Sequence, residues 1–242
     1  MEKVLQVQNL SKSYGSVAAV SGLSLSVARG EVFGLLGPNG AGKSTSIECM
    51  LGVKKASAGT VEILGINPSE GRKTLFERVG VQFQETGYQD KIRVEEVCRM
   101  TAALYRKPAD WQRLLAVFDI QGLEKQEVSQ LSGGERQRLS VLLALIPNPE
   151  LVFLDELTPG LDTRARRQVW QYLKELKKGG LTIVLTSHFM DEVEVLCDRA
   201  LILKKGEPQI CGTIEEITEG SPCSCFEEAY LWYTGGDDDA CV

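Results

Sequence analysis

Apolar residues recur along the chain with two different periods, which predict alternating strands and helices. Apolar and polar residues roughly alternate in residues 4–10 and alternate strictly in 23–27, as is typical of strands with one buried face. Residues 151–154 are a continuous apolar run, and residues 31–36 and 182–186 are largely apolar, as expected of strands buried on both faces. Stretches with helical spacing lie between several of these runs. The alternation predicts an α/β core with a parallel sheet.

The pattern is mainly helical between about residue 86 and residue 148. Pro108 lies where one helix would begin, and Pro147 would end another. This block predicts a helical subdomain, residues 86–148, inserted into a core formed by residues 1–85 and 149–217. Together these parts would form a single domain, residues 1–217. Residues 218–242 are expected to form a short tail with one helix at 226–233.

A glycine-rich run follows the buried strand at 31–36 and precedes a predicted helix. It matches G-x-x-x-x-G-K-[ST], the P-loop, whose glycines let successive backbone N–H groups turn toward anionic oxygens. Lys43 would reach the β- and γ-phosphates, and the Ser44 hydroxyl would bind Mg²⁺. A turn that merely links strand and helix is the alternative, and the flanking elements favour the nucleotide site. The nucleotide-binding residues predicted here are Gly37, Pro38, Asn39, Gly40, Ala41, Gly42, Lys43, Ser44 and Thr45.

Composition narrows the class of protein. Hydrophobic residues make up 43% of the chain and charged residues 25%, which are globular values. The net charge of −6 argues against a protein whose main task is to bind nucleic acid. No apolar run approaches the roughly 20 residues needed to span a bilayer, and the N-terminal residues show no secretory signal.

The seven cysteines are scattered along the chain, so we expect reduced thiols in a cytosolic protein. A thiol or metal site at Cys223, Cys225 and Cys241 is the alternative.

A second pair of glycines precedes another predicted helix, at Leu-Ser-Gly-Gly-Glu-Arg-Gln, residues 131–137. A serine and two glycines before a helix offer another anion site, and a capped helix start is the alternative. The run matches the L-S-G-G-x-x-Q signature of ABC proteins and lies between the P-loop and an Asp-Glu pair that ends a buried strand. The chain therefore resembles the ATP-binding subunit of an ABC transporter over essentially its whole length. This resemblance implies a P-loop NTPase (RecA-like) core with an antiparallel β edge.

The resemblance also implies that two such subunits pair head to tail. Ser132 and Gly134 of one subunit would then meet the γ-phosphate held by Lys43 of the other, and two ATP molecules would be buried at the interface. Closure would require the γ-phosphate, which links hydrolysis to opening. The signature residues expected at the nucleotide are Ser132, Gly133, Gly134 and Gln137.

By the same resemblance, Asp155 would hold Mg²⁺ and Glu156 would orient or deprotonate the attacking water. His188, the only histidine, would contact the γ-phosphate and help to place Glu156, although a lone histidine is more often structural. Gln84 would sense Mg²⁺ and water at the join to the helical subdomain. The expected catalytic residues are thus Glu156, His188, Lys43 and Gln84, and the expected metal ligands are Ser44, Gln84 and Asp155.

Two further positions match the family, and one departs from it. Asp162 would face the opposite subunit. Tyr14 would stack on adenine, with ordinary packing as the alternative. The family usually has Asp-Glu-Pro-Thr, but here Leu157 follows Glu156 and Pro159 comes two places later, which could loosen this loop. The Asp-Glu-Leu-Thr form resembles subunits that serve drug- and antibiotic-type exporters.

These resemblances imply an ATP hydrolase that powers transport, in the export direction, through a separate transmembrane permease. The permease would dock at Gln84 and residues 93–99, and would hold the subunit at the inner, cytoplasmic face of the membrane. The second ATPase subunit would be an identical copy or a different chain. One alternative is a soluble ABC ATPase for assembly or repair, which would not co-purify with a multispanning protein. Another is a nucleotide-dependent switch, which would release no phosphate.

Overall fold

The computed structural model describes residues 2–83, 87–158 and 160–235 of the chain. The strands are β1 Lys3–Tyr14, β2 Val17–Ala28, β3 Val32–Leu36, β4 Ala58–Ile63, β5 Val79–Gln82, β6 Leu151–Asp155, β7 Thr182–Ser187, β8 Arg199–Lys204 and β9 Glu207–Thr213. The helices are α1 Lys43–Met50, α2 Arg72–Phe76, α3 Val94–Ala103, α4 Trp111–Val117, α5 Gly133–Leu145, α6 Thr163–Lys178, α7 Met190–Leu196, α8 Ile214–Glu219 and α9 Phe226–Thr234, with a 3₁₀ turn at Val128–Gln130.

The central sheet confirms the predicted α/β core. Its strand order is β5-β6-β7-β3-β8-β9. Neighbouring strands from β5 to β8 run parallel, and β9 runs antiparallel to β8. Every residue of β3, β6 and β7 is buried, which explains why residues 31–36, 151–154 and 182–186 are largely apolar. Because β3, β6 and β7 are parallel neighbours, the segments that follow all three strands lie along one edge of the sheet.

A smaller antiparallel sheet with the order β2-β1-β4 forms the expected β edge. Its first two strands are longer than the alternating runs at 4–10 and 23–27 predicted. The pairing of β1 with β2 shifts register several times, for example between Val7 and Leu10. Each such irregularity breaks the period of two, so the alternation ends before the strand does.

Helices α3, α4 and α5 lie between β5 and β6 in the chain, where the helical pattern was recognised. Their buried residues, among them Val94, Leu114 and Leu142, belong to the same apolar cluster as Val152 and Leu154 of β6. The division into an inserted subdomain and a core stays a prediction. None of the helices in the described part of the chain has the length and apolarity needed to cross a membrane.

Two helices differ from the expectation. The sequence pattern predicts a helix over residues 68–78, but only α2 forms within this segment, after Gly71. Helix α8 was not predicted, although its start carries a capping box in which the Thr213 hydroxyl accepts from the Glu216 backbone N–H. The expected helix at 226–233 is α9, and its Phe226 is buried in the core.

Candidate functional site

The P-loop follows β3 and owes its shape to close contacts with its own chain. Gly42 has φ +99°, and a Cβ atom there would overlap the carbonyl oxygen of Ala19. A Cβ atom at Gly37 would likewise overlap the carbonyl oxygen of Leu203. Side chains are therefore excluded at both positions, and the backbone turns as the motif requires.

The turn between β8 and β9 supports this loop from the far end of the sequence. Gly206 N donates to Ala41 O at 3.0 Å, and Ser21 N donates to Gly206 O at 2.8 Å. Helix α1 begins directly after Gly42, which supplies no side chain to cap it. The first N–H groups of α1 thus remain suited to an anionic ligand.

Lys43 is buried within the loop, with 7% of its surface exposed. Its Nζ donates to Gly37 O at 2.7 Å and to Pro38 O at 3.2 Å. Burial lowers the pKa of Lys43, and the carboxylates of Glu156 and Asp155 oppose that shift. The ammonium group thus sits among carbonyl oxygens, close to acidic residues at the end of β6.

Asp155 ends β6 in a network of buried polar groups. The Thr186 hydroxyl donates to Asp155 Oδ1 at 2.6 Å and accepts from Glu156 N at 2.9 Å. Gln82 Nε2 donates to the backbone oxygen of Asp155 at 3.0 Å. Thr186 and Gln82 were not among the predicted site residues. The signal for both was a polar side chain near the end of a strand predicted to be buried.

Glu156 has φ +55°, a left-handed conformation that is uncommon outside glycine. Gln137 Nε2 donates to the backbone oxygens of Glu156 and Leu157, at 2.8 and 2.9 Å. His188 follows β7, and its Nδ1 lies 3.9 Å from Glu156 Oε1. This separation exceeds hydrogen-bond length, so the two side chains face each other across a short gap. The His188 ring also stacks on Phe189, with ring centroids 4.2 Å apart.

A cleft of about 650 Å³ joins these groups. Its size lies in the range of ligand sites. The structure therefore brings the P-loop together with Glu156 and His188, which were predicted from separate segments. The lining residues are Ala19, Asn39, Gly40, Gly42, Lys43, Ser44, Thr45, Glu156 and His188.

The expected Mg²⁺ ligands are oxygen donors, as a hard cation prefers. Ser44 lines the cleft, and the hydrogen bond from Thr186 orients the carboxylate of Asp155. Gln84 lies outside the described residues. Within the described ranges, no group of three His, Cys, Asp or Glu side chains is placed to bind a metal ion.

The signature residues lie outside the cleft of their own chain. Ser132 caps α5 in a reciprocal pair with Glu135, whose backbone N–H donates to the Ser132 hydroxyl at 3.3 Å. Ser132 and Gly133 are exposed. Asp162 caps α6 by accepting from Ala165 N at 2.9 Å. Of the predicted nucleotide contacts in this region, Gln137 reaches the backbone of Glu156 instead.

Tyr14 also lies apart from the residues that line the cleft. It ends β1 with 46% of its surface exposed. The Nζ atoms of Lys12 and Lys54 lie 4.9 and 5.6 Å from the centroid of its ring. Its role in adenine stacking stays a prediction.

The loop after Glu156 and the cysteines bear on two other expectations. Leu157 is fully buried and anchors its loop, while Pro159 lies outside the described residues. Cys223 is disulfide-bonded, which corrects the expectation of reduced thiols, and Cys241 lies outside the described residues. A disulfide depends on distance in the fold, so spacing along the chain could not reveal it. Among the described residues, the free thiols are Cys49, Cys98, Cys197, Cys211 and Cys225.

Comparison with known proteins agrees with this site. The family model described as ABC transporter matches residues 20–159. The chain is 38% identical over 231 residues to the Nod factor export ATP-binding protein I of Ralstonia nicotianae, covering 93% of this chain and 72% of the relative. A solved ATP-binding subunit of an ABC transporter superposes with a TM-score of 0.88 at 27% identity, covering 96% of this chain and 99% of the other. A dimeric, post-hydrolysis ATP-binding cassette bound to ADP and Pi has a TM-score of 0.78 at 25% identity, with 86% and 98% covered.

Proposed function

The chain belongs to the ABC transporter family and is an ATP-binding ATPase subunit of that family's type, and we propose that it powers export through a separate membrane chain. The observation that carries the proposal is the cleft in which Lys43, Glu156 and His188 meet. The Ralstonia relative is named as an export ATP-binding protein, which supports export as the direction of transport.

The P-loop would hold the phosphates of ATP through its backbone N–H groups and Lys43. In the structure the Lys43 ammonium group bonds to Gly37 O and Pro38 O, so it would exchange these carbonyls for phosphate oxygens. Ser44 and Asp155 would hold Mg²⁺, with Gln84 as a further predicted ligand. When bound, the ion would neutralise charge on the phosphates.

Glu156 would orient the attacking water and accept its proton. Thr186 and Gln137 hold the backbone on either side of this residue, so its carboxylate has a defined position above the P-loop. His188 would contact the γ-phosphate and approach Glu156 across the present 3.9 Å gap. Catalytic contacts of this kind often tighten only when the substrate is bound.

Each cleft would be completed by a second ATPase subunit, either another copy or a related chain. Two observations support this arrangement. Ser132 and Gly133 are exposed and do not line the cleft of their own chain. A structural relative is described as dimeric and bound to ADP and Pi. Ser132, Gly133, Gly134 and Asp162 of the partner subunit would then close the site over the γ-phosphate.

The membrane chain would dock at Gln84 and residues 93–99, at the start of α3. This helix and its C-cap residue present apolar side chains to solvent, with Met100 58% and Leu104 74% exposed. Exposed apolar groups of this size favour a protein partner. Tethering to that partner would place the subunit at the cytoplasmic face of the membrane.

Replacing the proposed base tests the reaction. Glu156→Gln should lower phosphate release by about 100-fold or more, because the amide cannot accept the proton of water. ATP binding should persist, and dimers should accumulate on size-exclusion chromatography. Glu194→Gln, at an exposed position of α7, is the matched control and should behave as the wild type. Turnover by Glu156→Gln at the wild-type rate would refute the role of Glu156.

Purification from membranes tests the coupling to transport. The tagged chain should co-purify with a multispanning membrane protein. An active ATPase that never does so would instead be the soluble assembly or repair enzyme.

A further inference from the structure

A buried carboxyl group lies in the helix that follows His188. Glu192, in the first turn of α7, has none of its surface exposed. Its Oε1 accepts a hydrogen bond from Trp170 Nε1 at 3.0 Å. Its Oε2 has no hydrogen-bond partner among the described residues. Half of this carboxyl group is thus satisfied, and half is not.

A second buried polar atom in the same condition lies two residues after Glu156. Thr158 is also fully buried, and its Oγ1 likewise finds no hydrogen-bond partner in the part of the chain that the structure describes. The Thr158 hydroxyl lies close to the Glu192 carboxyl. Burial raises the pKa of Glu192, and the nearby polar groups of Ser187, Trp170 and Thr158 act in the opposite direction.

The remaining neighbour is already engaged. The Ser187 hydroxyl accepts from Phe189 N at 3.0 Å and donates to Phe189 O at 3.4 Å, in the turn that carries His188. A buried polar atom without a partner is destabilising, because it has lost its hydrogen bonds to water without replacement. One hydrogen bond between Thr158 and Glu192 would satisfy both atoms at once.

The segment that carries Thr158 and the segment that carries Glu192 are also separated where Glu156 faces His188. The side chains of Glu156 and His188 face each other at 3.9 Å, and Thr158 and Glu192 lie further along the same two segments. One small approach of residues 156–158 toward residues 187–192 would therefore close both gaps. In the segment that carries Thr158, Glu156 has φ +55°, and Gly160 just beyond it has φ +77°.

We propose that Thr158 and Glu192 are positioning residues for ATP hydrolysis. When ATP closes the site, the Thr158 hydroxyl donates to Glu192 Oε2 and holds the segment that carries Glu156 against the helix that follows His188. The inference rests on the proposed roles of Glu156 and His188. Neither positioning residue touches the nucleotide.

Removing the Thr158 hydroxyl separates this role from a purely structural one. Thr158→Val should lower kcat about tenfold, the effect of losing one hydrogen bond to a charged group, and leave the KM for ATP within twofold. The resting fold should keep its melting temperature or gain slightly, because valine removes an unpaired hydroxyl. Thr158→Ser should restore at least half of kcat.

Thr182→Val is the matched control. Thr182 is a fully buried threonine at the opposite end of β7, where its hydroxyl accepts from Gly30 N at 2.9 Å. Loss of this bond should lower the melting temperature and leave kcat unchanged. Glu192→Gln can still accept from Trp170 and donate to Thr158, so it should keep kcat within twofold. Glu192→Met should reproduce the kcat of Thr158→Val.

Wild-type kcat in Thr158→Val, or a loss that serine does not rescue, would overturn the inference. So would a fall in kcat that simply follows the melting temperature. These results are distinct from failure of the proposed function, in which Glu156→Gln would turn over normally. The two failures are separated by assaying Glu156→Gln and Thr158→Val side by side.

Discussion

Two glycine-rich segments each lie at the start of a helix in this chain, but their surroundings differ. The P-loop before α1 is enclosed by its own chain, with Ala19 and Leu203 so close that Gly42 and Gly37 must lack side chains. The signature, at the start of α5, is exposed at Ser132. This residue caps the helix in a reciprocal pair with Glu135 of the same chain. Similar local chemistry thus gives one half-site that faces a cleft and another that faces outward.

The contrast indicates which of the two half-sites meets other site residues within its own chain. The P-loop meets Glu156 and His188 in one cleft, because the strands that carry them are neighbours in the sheet. The signature contacts the same region through Gln137, which binds the backbone of Glu156. A half-site that is formed but unused within one subunit is what head-to-tail pairing requires.

The largest expected effect comes from disabling the two halves in different chains. Lys43→Ala and Ser132→Arg should each lower phosphate release by at least about 100-fold when assayed alone. An equal mixture should recover roughly a quarter of wild-type activity, because half of the dimers are mixed and each mixed dimer holds one complete site. A mixture as inactive as its parts would show that the signature does not complete the neighbour's site.

A smaller effect is expected from matched glycine substitutions. Gly42→Ala should lower the free energy of unfolding by about 2 to 3 kcal/mol, because its Cβ meets Ala19 O at a positive φ. The isolated chain should also lose ATP binding. Chemical denaturation and binding of a fluorescent ATP analogue measure the two changes.

Gly133→Ala is the counterpart in the other half. Its added Cβ would meet no atom within 4 Å, so stability and ATP binding should not fall. Turnover should nevertheless drop, since the Cβ would stand between the helix start and the partner's γ-phosphate. Equal destabilisation by both substitutions would erase the contrast between the two halves.

The smallest effect concerns Glu192. It lies close to Thr158, next to the residues whose backbone Gln137 binds. Burial raises its pKa above the usual 4.5, so the unfolded chain releases this proton at a lower pH than the folded one. Ionising Glu192 therefore lowers the stability of the wild type as the pH rises from 4.5 through the raised pKa. Glu192→Gln cannot ionise, so its advantage in unfolding free energy should be absent at about pH 4 and grow toward about pH 8.

Urea denaturation across this pH range measures that difference. The exposed control Glu194→Gln should differ little from the wild type at any pH. A difference for Glu192→Gln that is independent of pH would show that the buried carboxyl group does not titrate as inferred.

Local motifs could be recognised from the sequence because their chemistry is contiguous. The P-loop glycines, the Asp155–Glu156 pair and His188 each follow a buried strand, and parallel strands bring such segments to one edge. The polar groups that orient them could not be found in this way. Thr186, Gln82 and Glu192 act through distances between segments far apart in the chain, and a polar residue in a buried strand or helix does not reveal its partner.

Bounds of individual elements were predicted less well for a related reason. Irregular pairing of β1 with β2 conceals the true length of both strands. Tyr14 illustrates the limit at the site itself, since a motif match does not show that its ring lies close to two lysine side chains.

The bond between Gly206 and Ala41 also has a consequence for biosynthesis. The ribosome produces the glycine loop before the hairpin turn that supports it. Leu203, which lies against Gly37, also follows the loop in the chain. A nascent fragment that ends before these residues therefore lacks the contacts that shape the loop, and we expect nucleotide capture to begin only after residues 203–206 have been made.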